Sequence, residues 1–488
     1  MNDKTDISKW YSSMVVRKEP LLSQYQHKQD KFEVGSGEIL KPRKKPEKFP
    51  VLSESELVRH YYRLSRLNYS WDDGLYPLGS CTMKYNPILC EKLAADETFA
   101  ALHPAMPDEH CQGALEIIYE VQSMIAEIVD LPGMSLQPAA GAHGEIAGVL
   151  MMKAWFAEHK QKRSVILIPD SAHGTNPASA AMGGYSIQKV PSNEHGLTDI
   201  TALEELVDEN TAALMITNPN TLGIFEKDIV KIKEILEKKG ALLYVDGANL
   251  NAVMGIASFE KMGVDITQLN LHKTFSTPHG GGGPGQGALA CSERMLPYLP
   301  SPLIAKTVQD EKDFYYKAIP EKTIGPIKGW YGQFGNIVRA WVYLKTWGDK
   351  IEEVSRRAVL NANYLREKLS PYLDLASQEP SMHEVVFVQS SLSKFGLTTK
   401  DFAKALLDRG FYAPTIYFPT HVQGAIMIEP TETESKEELD IFVKAVKEIF
   451  ELAEEDPDKI KGSPKKSFVT SIDEVGAARK PVLTWNQM

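Results

Sequence analysis

The hydrophobic pattern changes character several times along the chain. Over the first fifty residues apolar positions are sparse, and Lys41-Pro-Arg-Lys-Lys-Pro-Glu-Lys48 is a basic, proline-broken linker. Such a stretch has no core of its own. It is expected to be an extended arm that wraps a neighbouring subunit or domain, or else disordered. Helical periodicity begins at Ser53-Glu-Ser-Glu56, a capping-box pattern, followed by Leu57, Tyr61, Leu64 and Leu67 on one face. Residues 71–110 are irregular and rich in Gly, Pro, Cys and Met; a long structureless segment in a compact chain is often functional. A second helix is predicted from about 112 to 129, with Leu115, Ile118, Val121, Ile125 and Ile128 on one face and Leu131-Pro-Gly133 ending it.

From there short apolar runs alternate with amphipathic stretches. Gln137-Pro-Ala-Ala-Gly-Ala-His-Gly144 leads into a helix through about 159. Strands are predicted at 164–168, 186–190, 213–217, 241–245, 266–271 and 287–291, with helices near 202–207 and 228–239. This alternation means a largely parallel sheet covered on both faces. A smaller α+β part follows, with helices at 336–347, 351–369, 399–408 and about 435–452, and strands at 384–388 and 424–428. The predicted organisation is an arm and helices over 1–129, a large α/β domain over 130–320, a small C-terminal α+β domain over 321–454, and an extended tail over 455–488.

Composition narrows the picture. At 488 residues, two or three domains are expected. The net charge of −10 argues against nucleic acid as the main partner. No apolar run is long enough to span a bilayer, and the polar, acidic start resembles neither a signal nor a transit peptide. Cys81, Cys90, Cys111 and Cys291 are widely spaced and form no C-x-x-C, which disfavours a disulfide framework or a zinc cage and fits a reducing cytoplasm.

Candidate chemistry gathers at strand ends, where ligands bind in open parallel sheets. His173, Thr221, Asp246 and Lys273 each follow a predicted strand. Asp246 closes Leu242-Leu-Tyr-Val-Asp-Gly-Ala-Asn249, and a carboxylate just past a buried strand must be paired. It is either a capping or metal-ligating aspartate, or the group that keeps a pyridinium nitrogen protonated and so makes pyridoxal phosphate an electron sink. In the second case Ala248 would lie under the ring. Lys273 comes 27 residues after Asp246, the spacing of neighbouring strand ends in a βαβ unit. Against the bland alternative of a surface cation, a lysine in a dry crevice can form a Schiff base. Ala139-Ala-Gly-Ala-His-Gly144 opens a helix, and free amides at a helix start bind phosphate, although a plain helix start would read the same way. Neither a P-loop nor a dinucleotide fingerprint is present. His173 could stack on a cofactor ring or be structural, and His272 stands beside Lys273. The glycine run 280–283 is either a flexible loop or a pocket wall.

The combination resembles the fold-type I pyridoxal-phosphate-dependent transferases, which are aspartate aminotransferase-like. More closely it resembles the glycine-decarboxylating P-protein of the glycine cleavage system. The resemblance rests on Tyr76-Pro-Leu-Gly-Ser-Cys-Thr-Met-Lys-Tyr-Asn-Pro87, Gln137 to Glu145, Ala172-His-Gly-Thr-Asn-Pro-Ala-Ser179, Tyr244-Val-Asp-Gly-Ala-Asn249 and Asn270 to Gly287, and extends over most of the chain. The family occurs as one long polypeptide or as two subunits, and this chain is similar to the lysine-bearing second half. The resemblance implies a cytoplasmic α2β2 assembly with the related subunit 1, glycine as substrate and lipoylated H-protein as acceptor, with no nucleic acid, membrane or metal. It implies that Lys273 carries the cofactor and Asp246 pairs with the pyridinium. His173 would stack on the ring, and the Gly141, Ala142, His143 and Gly144 loop would receive the phosphate. Looser analogy brings His272 to the phosphate and Thr221 to the phenolic oxygen. The implied reaction is oxidoreductive: glycine loses CO2 and its aminomethyl group passes to the lipoyl disulfide. Alternatives are another decarboxylase or lyase of this fold, or a non-catalytic partner subunit.

Overall fold

The computed structural model describes residues 22, 50, 52–279, 285–467, 470 and 472–483. The expected N-terminal arm and the glycine run 280–283 fall outside these residues, apart from isolated positions of the arm. The chain divides into two compact units, one of 1–70 with 463–488 and one of 71–462. In the first, helix α1 (Glu54–Ser65) starts as its sequence predicts. Ser53 accepts the Glu56 amide at 3.4 Å, and Glu56 accepts the Ser53 amide at 2.8 Å.

The second unit is built on a seven-stranded sheet of order β1-β7-β6-β5-β4-β2-β3. Its strands are β1 (Gly133–Ser135), β2 (Val165–Pro169), β3 (Ser186–Val190), β4 (Thr211–Thr217), β5 (Leu242–Asp246), β6 (Ile266–Asn270) and β7 (Gly287–Cys291). Strands β2 to β6 run parallel, whereas β7 is antiparallel to β6 and β1 to β7. Residues along β4 and β5 alternate between two cores: Leu214, Ile216, Leu243 and Val245 face one, and Ala213, Met215, Leu242 and Tyr244 the other. Burial on both faces is why these strands read as continuous apolar runs.

Several elements had no counterpart in the hydrophobic pattern, among them the three-residue β1, the helix Thr175–Met182, and a hairpin of β8 (Leu303–Gln309) and β9 (Lys312–Ala318). A second, antiparallel sheet is formed by β10 (Asp374–Leu375), β11 (Val385–Val388), β12 (Thr415–Ile416) and β13 (Ile426–Ile428), in the order β10-β11-β13-β12. Helices Glu352–Leu369, Thr399–Leu407 and Lys436–Glu455 supply Leu365, Phe402, Phe442 and Ile449 to its core. The stretch 455–488 is not simply extended, since helices form at Pro457–Lys461 and Glu474–Arg479. The first of these is anchored by Ile460, which is fully buried. No helix among the described residues is long and apolar enough to cross a membrane.

Candidate active site

Beyond the carboxyl ends of the parallel strands lies a cavity of about 280 Å³. Its wall includes Gly141, Ala142, His173, Thr221, Asp246, Ala248, His272 and Lys273. A larger cleft of about 790 Å³, lined by Lys233, Asp265 and Arg294 among others, contains none of them. Of the described residues singled out from sequence for this site, His143 and Gly144 do not line the small cavity. The Gly144 amide instead starts the ladder of the helix that opens there. The His143 Nδ1 turns back to accept the Ala139 amide at 3.1 Å.

Asp246 sits at the last position of β5 and is buried. Its Oδ1 accepts the Ala248 amide at 3.0 Å and the side-chain amide of Gln268, and its Oδ2 accepts from Asn176 at 3.2 Å. Gln268 is itself held by the Tyr244 hydroxyl at 2.5 Å. The carboxylate therefore has three donors and, among the described residues, no cation bonded to it, which leaves it open to a cationic ligand group. Lys273 lies in a single helical turn, Leu271–Thr274, directly after β6, and is buried.

The helix α2 (Gly141–Glu158) begins at the cavity without a side-chain cap. Its hydrogen-bond ladder starts with the Gly144 amide on the Ala140 carbonyl at 3.0 Å, so the amides of Gly141, Ala142 and His143 precede the ladder. The helix can lie this close to the sheet because of its glycines. A Cβ on Gly141 would collide with the Asn270 side chain, and one on Gly144 would come within 2.8 Å of Gln268 Cβ.

His173 is held by its ring Nδ1 against Thr175 Oγ1 at 2.9 Å. Burial is the main reason its pKa lies below the usual imidazole range. Burial, with His279 and Lys273 nearby, holds His272 at about 4, so it faces the cavity as a neutral ring whose Nδ1 accepts the Gln286 amide at 3.1 Å. The Thr221 hydroxyl donates to the Ser171 carbonyl at 2.8 Å, which leaves its oxygen to a ligand as an acceptor only.

Sequence reasoning missed Gln268, Asn176, Asn270, Glu145 and His279, which complete the site. It also left the role of Cys81 open and did not single out Ser80; both line the cavity. They belong to a loop in which Ser80 and Thr82 adopt φ of 65° and 48°, a costly conformation for a β-branched threonine. Two buried glutamates hold that loop: Glu384 accepts the Ser80 amide at 2.8 Å and Glu429 the Thr82 amide at 3.0 Å. Burial pushes both carboxyls up, Glu384 to about 8.

The donor set fits pyridoxal 5'-phosphate. Asn270, which lines the cavity, has a buried Oδ1 with no hydrogen-bond partner among the described residues. Orphaned polar atoms of this kind are satisfied by a ligand or water. The uncapped start of α2 suits a phosphate, Asp246 a protonated ring nitrogen and Lys273 an aldehyde carbon.

Residues 142–390 match the family described as aminotransferase class-V, and residues 354–466 match glycine dehydrogenase, C-terminal domain. Fold and site together define a fold-type I enzyme of the pyridoxal-phosphate-dependent class. Among solved structures, one of glycine decarboxylase (P-protein) of the glycine cleavage system in inhibitor-bound form superposes with a TM-score of 0.70 at 24% identity, covering 84% of this chain and 92% of that one. A sphingosine-1-phosphate lyase from Burkholderia pseudomallei shares the fold at a TM-score of 0.64 and 16% identity, over 86% of this chain and 95% of its own. Curated relatives named probable glycine dehydrogenase (decarboxylating) subunit 2 are much nearer in sequence. The Pyrococcus abyssi protein is 50% identical over 91% of this chain and 89% of its own length, and the Listeria welshimeri protein 49% identical over 91% of each. The chain belongs to the glycine dehydrogenase (decarboxylating) subunit 2 family.

Proposed function

We propose that this chain is the lysine-bearing subunit of an enzyme that decarboxylates glycine, releases CO2 and passes the aminomethyl group to the lipoyl disulfide of H-protein. The observation that carries the reading is the meeting of Lys273, Asp246 and the uncapped start of α2 on one cavity, in a chain about half identical to its subunit 2 relatives. When bound, the cofactor supplies a conjugated ring that takes up the electrons of the breaking Cα–carboxylate bond. Lys273, buried in the cavity wall, would hold it covalently through its amine. Asp246 would pair with the protonated ring nitrogen, and its three donors hold the carboxylate aimed. The amides of Gly141, Ala142 and His143 hold the phosphate. His173 lies against the ring, and Ala248 leaves room for it. His272 acts as a neutral neighbour of the phosphate, and Thr221 as an acceptor. The disulfide is reduced as the aminomethyl carbon bonds to one sulfur, so the lipoyl group is the electron acceptor.

Subunit 1 as partner in an α2β2 assembly, and a cytoplasmic location, complete the proposal. The name of the curated relatives supports the first, and four cysteines without a disulfide support the second. The test has two arms. Borohydride reduction of the yellow holoprotein should fix the cofactor on the peptide containing Lys273, and Lys273→Ala should abolish the labelling. With subunit 1 and H-protein, labelled bicarbonate should exchange into the glycine carboxyl. Turnover of another amino acid without that exchange would overturn the glycine assignment, and a colourless, borohydride-inert protein would mark a non-catalytic subunit.

A further inference from the structure

Glu145 is a buried carboxyl in the cavity wall that the proposed reaction does not use. It projects from the first turns of α2. Its Oε1 accepts the Thr175 hydroxyl at 2.6 Å, and its Oε2 accepts the Ser179 hydroxyl at 3.2 Å. The same Thr175 oxygen lies 2.9 Å from His173 Nδ1. A carboxyl, a hydroxyl and an imidazole therefore form one chain that ends at the ring facing the cavity. Among the described residues, His173 Nε2 has no hydrogen-bond partner, so that nitrogen is left for whatever occupies the cavity.

A threonine hydroxyl has one proton to give. If Thr175 donates to an ionised Glu145, its oxygen can only accept from His173, and the imidazole proton must sit on Nδ1. Nε2 then presents a lone pair to the cavity. If Glu145 is protonated, it donates to Thr175, the hydroxyl turns to Nδ1, and the imidazole proton must sit on Nε2. The backbone offers this second arrangement a further donor, the Thr175 amide, 3.3 Å from Nδ1. We propose that Glu145 and Thr175 form a relay that sets which ring nitrogen of His173 carries the proton, and so whether His173 donates or accepts at the cofactor site.

The proton balance is simple. Going from the first state to the second, Glu145 takes up one proton, the Thr175 hydroxyl rotates, and the ring releases its Nδ1 proton to solvent and gains one at Nε2. Net uptake is one proton. The groups facing Glu145 are Asp246 and Tyr244 from β5 and Thr175, Asn176 and Ser179 from helix Thr175–Met182. Burial, with the Asp246 charge second, raises Glu145 to about 7 against the hydrogen bonds that lower it. The charged groups facing His173 are Asp246 and Lys273, and Phe418 packs on it edge-on at 5.8 Å. His173 is held below its ordinary range, mainly by burial, and wherever the ring is neutral it has one proton to place. Glu145 is thus a positioning residue acting through Thr175. The relay needs no ligand; only its bearing on the reaction rests on the function proposed above.

The test is 15N NMR of His173 in the cofactor-free chain, labelled at histidine nitrogens, from about pH 5.5 to about pH 8.5, the range in which an imidazole is the informative reporter. Ring shifts distinguish Nδ1–H from Nε2–H directly. The parent protein is expected to move from Nε2–H at the acid end to Nδ1–H at the alkaline end, with an inversion of the tautomer ratio of about tenfold or more. Thr175→Ser should keep the transition, because a serine hydroxyl can rotate in the same way. Thr175→Val should lose it, and Glu145→Gln should fix one tautomer at every pH. A single tautomer throughout in the parent, or a transition that survives in Thr175→Val, would overturn the relay. Borohydride trapping on Lys273 reports on the proposed function separately, so the failure of one reading is distinguishable from failure of the other.

Discussion

Gly148 offers a test of sign rather than of size. It lies within α2, where alanine is ordinarily the better residue by about 1 kcal/mol. A Cβ at this position would stand 2.6 Å from Tyr244 Cε2 and 3.1 Å from Ile266 Cγ2. Tyr244 must withdraw by about 0.8 Å to reach the 3.4 Å of ordinary contact. It is fully buried in the centre of the sheet, and its hydroxyl anchors Gln268, which in turn holds Asp246. Overpacking of this kind costs about 1–3 kcal/mol, and a buried hydrogen bond broken by the shift adds about 1–3 kcal/mol. The propensity gain is outweighed, so Gly148→Ala should lower stability by about 1–5 kcal/mol. Gly113, near the start of helix Gln112–Val129, is the control. Nothing lies within 4 Å of its Cβ position, and Gly113→Ala should leave the melting temperature unchanged or raise it. The two variants are compared by thermal unfolding of the cofactor-free chain, with cofactor absorbance as a second readout that only Gly148→Ala should weaken. A rise in melting temperature for Gly148→Ala would refute the close helix-on-sheet contact and, with it, the argument that α2's glycines bring its N-terminus to the cavity.

Other perturbations probe the groups around the site. Lys84 is buried with its ammonium on Glu432 at 2.6 Å, the Tyr343 hydroxyl at 3.0 Å and the Thr274 carbonyl. Lys84→Met leaves Glu432 a buried charge without its counter-ion and should cost about 3–5 kcal/mol in thermal or urea unfolding, and Lys84→Met with Glu432→Leu should recover part of it; equal losses in the single and double variants would contradict the pairing. Asp246→Asn replaces one carboxylate oxygen with an amide N–H, so at least one of the three donors around it faces another donor. It should destabilise the chain by about 1–3 kcal/mol and abolish turnover even where borohydride still traps cofactor on Lys273; retained activity would count against the pyridinium role. The pH dependence of stability should be two-sided. Glu145 and Glu384, raised to about 7 and about 8, hold protons that the unfolded chain releases from about 4.5 upward, so stability falls as the pH rises from there through about 7 to 8. His272 and His383, held at about 4 and about 3, stay neutral while unfolded imidazoles charge below 6.5, so stability falls again as the pH drops. Melting temperatures across pH should peak between the two limbs, and Glu384→Gln should flatten the alkaline one; a profile without an alkaline limb would refute the buried carboxyls as its cause.

What was legible in the sequence follows from what is local. Lys273 and Asp246 could be found because a parallel sheet places ligands at strand ends, and strand ends are visible as the close of apolar runs. The N-terminus of α2 could be found from its glycines. Gln268 was harder to read: Ile266-Thr-Gln-Leu-Asn270 has polar residues at three of its five positions, yet the whole strand is buried, so its glutamine must have a buried partner. Glu145 carried a signal that went unread. It lies at the spacing that puts it on the same side of α2 as Gly141, Gly144 and Gly148, and that face packs on the sheet, where a carboxyl needs donors. The hairpin of β8 and β9 gave no local signal. It turns through Asp310 and Glu311 at φ of 50° and 62°, where asparagine and glycine would have marked it.

The loop at Ser80 to Thr82 shows where locality ends. Its irregular composition hinted at function, but nothing near it in sequence explains why a threonine is held at positive φ. The explanation lies some three hundred residues on, in Glu384 just before β11 and Glu429 just after β13. Each carboxyl receives a backbone amide of the loop, and Asn251 donates to Glu429 at 3.0 Å. These bonds offset part of the cost of burying two acidic groups close together, and they fix Ser80 and Cys81 in the cavity wall. The small antiparallel sheet thus contributes to the site without lining it: it sets the loop that does. A substitution in that sheet that leaves every cavity residue in place, such as Glu429→Gln, should therefore alter cofactor or substrate handling as well as stability. Cofactor affinity measured beside melting temperature separates the two effects. A variant that loses stability while binding cofactor and turning over substrate as the parent does would show the clamp to be structural alone.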